Sequence, residues 1–304
     1  MATCEGLSEG ERVTGIRPCE QRWWPGADGA AIAAAVWPGE GEPLVCVHGL
    51  TSSSRAFAGL ATELGHRQVL AVDCRGRGQS AKSGPFGMAR HAADLAAVMN
   101  AAGIDRATVV GHSMGAYVAG AFCAGYPDRV SRLVFIDGGY VGDDVTADPD
   151  QLLQAMLGPF LEKLRRTWPS LDEYIAFYES TALYPDGVDE YGRAHFGYDL
   201  TGTPPRLRCR MTEDCVAPDW RDILDSAAVG KRLEAVTVPL RLLRAPGGLT
   251  GTGDMVVPDQ TRDAITARIA KTTVIDVPGT NHHTILVSRP GARAVAQAID
   301  AFAP

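Results

Sequence analysis

The chain has 304 residues, 45% hydrophobic and 21% charged, a balance that excludes disordered, collagen-like and coiled-coil classes. Lys and Arg total 29 against 36 Asp and Glu, a net charge of −7, and no dense basic run of the kind that grips phosphate backbones is present, which argues against nucleic acid as a partner. The length suits two domains or one large α/β domain carrying an insertion.

From Met1 to Glu20 the chain carries Glu5, Glu9 and Glu11, with neither a basic start nor an apolar stretch, so it does not read as a secretory signal. No later apolar run approaches the roughly 18 residues that span a bilayer. The expectation is a cytoplasmic protein that is not membrane-bound. Seven cysteines (Cys4, Cys19, Cys46, Cys74, Cys123, Cys209 and Cys215) are an odd number in a long chain, which argues against a disulfide framework. Cys209 and Cys215 lie close together, but no matching Cys or His pair follows, so reduced thiols are expected rather than zinc.

Ala31–Trp37 reads as a strand and Pro38–Pro43 as a turn, punctuated by Pro-Gly and Gly-Glu-Pro. Leu44–Val47, Val69–Val72, Thr108–Val110 and Leu133–Ile136 are short apolar, β-branched runs, typical of strands buried on both faces of a parallel sheet. Between them, Ser54–Leu64, Met88–Ala102 and Met114–Gly125 are helix-length segments rich in Ala and Leu. That alternation predicts βαβ units and a doubly wound, mostly parallel α/β sheet.

From Gly139 to Gly230 helical periods replace buried-strand runs. In Gln151–Arg166 a stripe of Leu152, Leu153, Met156, Leu157, Phe160, Leu161 and Leu164 predicts a helix that Gly158-Pro159 should kink or split. Ser170 and Glu173 form a capping box before Leu171–Thr181. Strand rhythm returns at Leu240–Leu243 and Thr273–Val277, and Ala292–Phe302 closes the chain with Val295, Ala298, Ile299 and Phe302 on one helical face. The domain reading is a core of residues 1–138 and 231–304, interrupted by a helical cap at 139–230. Eleven of the 21 aromatic residues fall in that insert, as expected of a cap over an apolar ligand or of a small helical layer filling its own core. The cleft-lining candidates are Trp168, Tyr174, Phe177 and Tyr178.

Gly111-His112-Ser113-Met114-Gly115 sits where a strand run meets a helix, the setting a G-x-S-x-G nucleophile elbow requires. The glycines leave out Cβ atoms that would collide with neighbouring elements, and Ser113 is presented at a helix N-terminus that favours developing negative charge. His48-Gly49-Leu50 follows the strand Leu44–Val47. Backbone N–H groups of Leu50 and Met114, beside Gly49, are the candidates for an oxyanion hole. His48 itself reads as structural. Asp73-Cys74-Arg75-Gly76-Arg77-Gly78-Gln79-Ser80 lacks the Lys and spacing of a phosphate loop and reads as a turn at the cleft edge.

Together these motifs resemble the α/β-hydrolase fold superfamily, in its capped esterase or lactonase-like branch. The likeness covers nearly the whole chain and implies an α/β-hydrolase core, a catalytic triad and no cofactor or metal. It places the catalytic histidine in the loop after the last strand, here Pro278-Gly279-Thr280-Asn281-His282-His283. A serine hydroxyl needs a base with a pKa near neutrality, which histidine supplies. His282 occupies the family-like slot, with His283 expected to pack or line the cleft. His66, His91 and His195 carry no motif.

For the triad acid two positions stay open. Asp254-Met255-Val256-Val257-Pro258 resembles the D-x-x-V-P segment that often carries it, but arrives several residues late, after Arg244-Ala245-Pro246-Gly247-Gly248-Leu249-Thr250-Gly251. Asp137 ends the strand Leu133–Ile136, where some members, including the zearalenone-lactonase-like group, place their acid. A carboxylate fixed at a strand end can hold the imidazole tautomer. The resemblance implies hydrolysis of a small-molecule ester or lactone, with medium-sized apolar substrates favoured by the aromatic insert. Carbon–carbon bond hydrolases, thioesterases and cofactor-free perhydrolases keep the same serine, and some members are non-catalytic receptors.

Overall fold

A computed structural model of the protein describes residues 15–142, 147–251 and 253–302; Cys4, Glu5, Glu9 and Glu11 lie outside them. The strands are β1 (Glu20–Pro25), β2 (Ala31–Trp37), β3 (Glu40–Val47), β4 (Arg67–Val72), β5 (Ala107–His112), β6 (Val130–Ile136), β7 (Leu200–Thr201), β8 (Arg208–Cys209), β9 (Leu240–Arg244) and β10 (Thr272–Asp276). Eight of them form one sheet in the order β1-β2-β4-β3-β5-β6-β9-β10, while β7 and β8 pair separately. β2 is antiparallel to β1 and β4, and β4-β3-β5-β6-β9-β10 run parallel.

Helices cover both faces: α1 (Ala58–Glu63), α2 (Met88–Ala101), α3 (Met114–Gly125), α4 (Pro149–Arg165), α5 (Leu171–Glu179), α6 (Glu190–Asp199), α7 (Val216–Leu224), α8 (Ser226–Glu234), α9 (Asp259–Arg268), α10 (Thr284–Val287) and α11 (Arg289–Asp300). Among the described residues no helix is long and apolar enough to cross a membrane.

The apolar runs are buried on both faces because successive strand side chains point to opposite sides. Val45, Val47, Leu133 and Phe135 join one core with α2 and α3. Their neighbours Leu44, Cys46, Val134 and Ile136 join the other with α11, through Val295 and Ile299. Each such side chain contributes roughly 1.5–3 kcal/mol when fully removed from water.

Three sequence expectations need correction. β3 begins at Glu40 and includes Pro43, so the Pro38–Pro43 turn is shorter; the register shifts between Glu40 and Leu44, where a residue without an N–H is tolerated. α4 runs unbroken through Gly158 and Pro159, because burial of Leu153, Leu157, Phe160 and Leu161 outweighs the roughly 3 kcal/mol that an interior proline costs. Met156, placed in the apolar stripe, is 43% exposed. α8 crosses the 230/231 domain boundary and packs on α3, with Leu233 Cδ2 at van der Waals distance from the Cβ position of Gly120. The short strands β7 and β8 also lie within the 139–230 segment.

Candidate active site

Ser113 follows β5 and caps α3 with φ 54° and ψ −121°, a left-handed backbone that a non-glycine residue adopts only under constraint. The constraint is close packing. A Cβ on Gly115 would lie 1.9 Å from Val47 O, and one on Gly111 2.2 Å from Gly115 O. The helix can therefore approach the sheet closely only with glycine at both positions. Ser113 N donates to Ile136 O at 3.0 Å, which ties the elbow to the end of β6.

The turn after β3 lies against this serine. A Cβ on Gly49 would sit 3.1 Å from Ser113 Cβ and 3.6 Å from its Oγ. Leu50, next along, and Met114, the first residue of α3, are both buried. Their backbone N–H groups are thus on the two segments flanking Ser113, the arrangement expected of oxyanion donors.

His282 bridges serine and acid. Its Nε2 lies 3.0 Å from Ser113 Oγ and its Nδ1 2.7 Å from Asp137 Oδ2. With Nδ1–H donating to the carboxylate, Nε2 is left to accept the serine proton. Asp137 is fully buried at the end of β6, with φ 47°. Its N–H donates to Leu243 O at 2.8 Å, and its Oδ1 accepts from Ala245 N at 3.1 Å. β9 thereby clamps the carboxylate at both backbone and side chain.

Asp254 is elsewhere. It is exposed, and its Oδ2 accepts from Thr250 N at 2.8 Å, closing its own loop. The structure brings Ser113, His282 and Asp137 together and leaves Asp254 out. The reason is local: the glycine-rich segment folds back on itself, with Gly248 close against Asp254 O.

Of the cleft-lining candidates, Trp168, Tyr174 and Tyr178 are almost wholly buried in an aromatic core of the insert. Trp168 meets Tyr174 edge-on with centroids 4.9 Å apart, and Tyr178 stacks on Phe196 at 4.2 Å. Phe177, half-buried, packs against Trp168 and Tyr178. These four pack on one another in the insert, and the Tyr178 ring also lies 6.2 Å from that of His283. His283 reaches the site region: its ring stacks on Phe160 at 5.6 Å and lies 6.1 Å from the His282 ring.

Three residues the motifs did not single out also surround the site. His112, inside the elbow, approaches the His282 backbone carbonyl with Nε2 at 2.9 Å. Burial, and then the nearby His282, push its pKa well below the usual histidine range, so it is neutral and donates from Nε2. Arg77 and Lys163, both buried, reach carbonyls of the turn after β3. The signal for Arg77 was a charge between two glycines, and for Lys163 a charge at the edge of an apolar helical stripe.

His48 Nε2 accepts from Cys74 N at 3.0 Å, so Nδ1 carries the proton and donates to Gly49 O at 2.7 Å. Burial pushes its pKa down to about 4, which fits the structural role read from its position. The Asp73–Ser80 segment is an internal brace. Asp73 accepts from Ser54 N, Gln79 N and the Tyr198 hydroxyl, and Arg75 pairs with Asp94 and Asp28. Cys209 Sγ donates to Lys163 O and Cys215 Sγ to Thr212 O; among the described residues no group of three or more His, Cys, Asp or Glu side chains is arranged to hold a metal ion.

A fold of this topology with a strained serine, a histidine and a buried aspartate in line defines a hydrolase scaffold. The chain belongs to the alpha/beta hydrolase family, whose model matches residues 44–297. Among solved structures it is similar to E-2-(acetamidomethylene)succinate hydrolase, with TM-score 0.78 and 22% identity over 94% of this chain and 99% of that one. Among curated proteins, a 2-hydroxy-6-oxononadienedioate/2-hydroxy-6-oxononatrienedioate hydrolase of Burkholderia vietnamiensis is 36% identical over 138 residues, 41% of this chain and 48% of that protein. A putative carbamate hydrolase, RutD, of Caulobacter segnis is 34% identical over 190 residues, 59% of this chain and 67% of that protein. For an uncharacterized protein of Mycobacterium tuberculosis the match spans only 32% of the relative's length.

Proposed function

We propose that the protein is a cofactor-independent serine hydrolase that cleaves a carboxylic ester or lactone of a medium-sized, largely apolar small molecule. The observation that carries this is the continuous line Ser113 Oγ, His282 and Asp137, with contacts of 3.0 and 2.7 Å.

In this mechanism His282 Nε2 takes the proton of Ser113 as Oγ attacks the substrate carbonyl, and Asp137 stabilises the resulting imidazolium through Nδ1–H. The tetrahedral oxyanion is held by the Leu50 and Met114 amides; losing one such donor typically costs about 10²–10³ in rate. His282 returns the proton to the leaving alkoxide, and water, deprotonated by the same imidazole, releases the acyl group. The helical insert acts as a cap whose Phe160, beside His283, supplies an apolar surface near the site.

A second reading, hydrolysis of a carbon–carbon bond, is favoured by the similarity to the Burkholderia vietnamiensis enzyme. The same serine, histidine and oxyanion donors would then act on a ketone carbonyl.

Parallel assays of p-nitrophenyl esters, aryl lactones and a 2-hydroxy-6-oxodienoate, with wild type and Ser113→Ala, test the two. Ester or lactone turnover that falls by about 10⁴–10⁶ in the variant supports the first reading. Turnover of the dienoate alone replaces it with the second. Ligand binding without any turnover contradicts both.

A further inference from the structure

The four residues Gly49, Leu50, Thr51 and Ser52 form a turn closed by Ser52 N–H donating to Gly49 O at 3.2 Å. Each of its first three carbonyls also meets a buried side-chain donor. His48 Nδ1 lies 2.7 Å from Gly49 O, Arg77 Nε 3.0 Å from Leu50 O, and Lys163 Nζ 3.4 Å from Thr51 O. In a planar trans peptide the C=O and N–H point opposite ways. Anchoring Gly49 O therefore aims the Leu50 N–H to the other side, and anchoring Leu50 O does the same for Thr51.

Two of these anchors are cations, and both depend on the helical insert. Arg77 is fully buried, and it pairs through Nη1 with Asp219 of α7. Asp219 also accepts from Gly87 N at 2.6 Å and from His91 Nε2 at 3.0 Å. Arg77 Nη2 additionally reaches Met114 Sδ at 3.8 Å, so one guanidinium touches both residues whose amides flank Ser113. Lys163 belongs to α4 and is 2% exposed, with its Nζ 2.5 Å from the Tyr178 hydroxyl of α5.

Burying a cation costs several kcal/mol unless its surroundings answer it. The cavity beside Lys163, lined by Thr51, Tyr174 and Asp199 among others, is about 10 Å³, room for about one water and not for a substrate group. Asp219 answers the charge of Arg77, while Lys163 has the Tyr178 hydroxyl and the Thr51 carbonyl of the turn as its hydrogen-bond partners.

We propose that Arg77 and Lys163 are positioning residues through which the helical insert sets the geometry of the oxyanion turn. The kinetic consequence rests on the serine-hydrolase mechanism above; the structural consequence does not. A cap that moves or loosens would release Thr51 O first, since Lys163 lies on α4, and the donors would lose their aim at the reacting carbonyl.

The test compares wild type, Lys163→Met and Lys163→Arg, with the double variant Arg77→Met/Asp219→Leu, which avoids leaving the Asp219 carboxylate buried without its cation. Two quantities are read on each folded protein: amide hydrogen exchange at Ser52, whose bond closes the turn, and kcat and KM for p-nitrophenyl butyrate. Lys163→Met is expected to speed Ser52 exchange by about tenfold while the β9 and β10 amides are unchanged. It should lower kcat by about 10–100-fold with KM within about threefold, as misplacement of a catalytic group does. Lys163→Arg, which keeps a donor, should recover most of both. The double variant should repeat the Lys163→Met pattern. Unchanged Ser52 exchange in Lys163→Met, or equal losses in Lys163→Met and Lys163→Arg, overturns the proposal. If wild type lacks esterase activity, the esterase reading fails and the exchange measurement alone decides the tether.

Discussion

The Asp137 carboxylate receives the Nδ1–H of His282 across 2.7 Å, and it does so from the end of β6, the last strand before the helical insert. Because β9 holds Asp137 through Leu243 O and Ala245 N, the acid is anchored on two adjacent strands. Asp137→Asn should preserve packing but present an amide where a carboxylate is needed, with a loss in kcat of about 10³–10⁴. Asp254→Asn should leave kcat within about threefold, since that side chain only closes its own loop. Side-by-side steady-state kinetics check the pair; equal small losses would remove Asp137 from the mechanism.

His112 fastens the His282 loop through its Nε2 bond to the His282 carbonyl. His112→Phe keeps the ring volume and deletes that bond. The net value of such a bond, about 0.5–1.5 kcal/mol, predicts a kcat loss of up to about tenfold. A fall in Tm should accompany it in thermal unfolding. Full activity and unchanged Tm would mean that the loop is held without His112.

Gly115→Ala places a methyl 1.9 Å from Val47 O. Relief requires α3 to move away from the sheet and to carry Ser113 with it. Overpacking of this kind costs about 1–3 kcal/mol, so denaturant midpoints should fall and activity with them. A wild-type midpoint would show that the close approach is not obligatory.

Stability should fall on mild acidification. Burial pushes His48 down to about 4, and also lowers His112, His195 and His283, from an ordinary value of 6.5. Between pH 6.5 and about 4 the unfolded chain therefore binds more protons than the folded one, and stability drops as pH falls through that window. Urea unfolding at pH 7.5, 6.0 and 5.0 should show declining midpoints. Midpoints independent of pH in this range would contradict the burial of neutral imidazoles.

Much of the sheet is legible in the residues because its strands are buried on both faces and read as unbroken apolar runs. Ala31–Trp37 matches β2 at both ends, and Leu44–Val47, Val69–Val72 and Leu133–Ile136 fall inside β3, β4 and β6. β1 escaped notice because Glu20–Pro25 is a largely exposed edge strand without an apolar run or a clean alternation of apolar and polar residues. β7 and β8 are two residues each, too short to carry a period, and α6 and α9 show little apolar segregation along their length.

At the site, Ser113 and His282 follow from local chemistry, because a strained turn and a post-strand loop leave a sequence signature. The choice between Asp137 and Asp254 does not, since it depends on how a glycine-rich loop folds in space. The aromatic residues of the insert leave a similar choice open in the sequence. Composition reports that Trp168, Tyr174 and Tyr178 must be buried somewhere, and a small helical layer needs them for its own core as much as a ligand would. Arg77 and Lys163 lay hidden because their partners, the carbonyls of the turn after β3, are distant in sequence.

The most direct measurement of the central claim is intact-protein and peptide mass spectrometry after reaction with a fluorophosphonate, which requires an activated serine but no knowledge of the substrate. The arrangement of Ser113, His282 and Asp137 predicts one phosphonyl adduct, located on Ser113 and abolished in Ser113→Ala and strongly slowed in Asp137→Asn. A folded protein that takes up no label, or that carries it on another serine, would contradict Ser113 as the nucleophile.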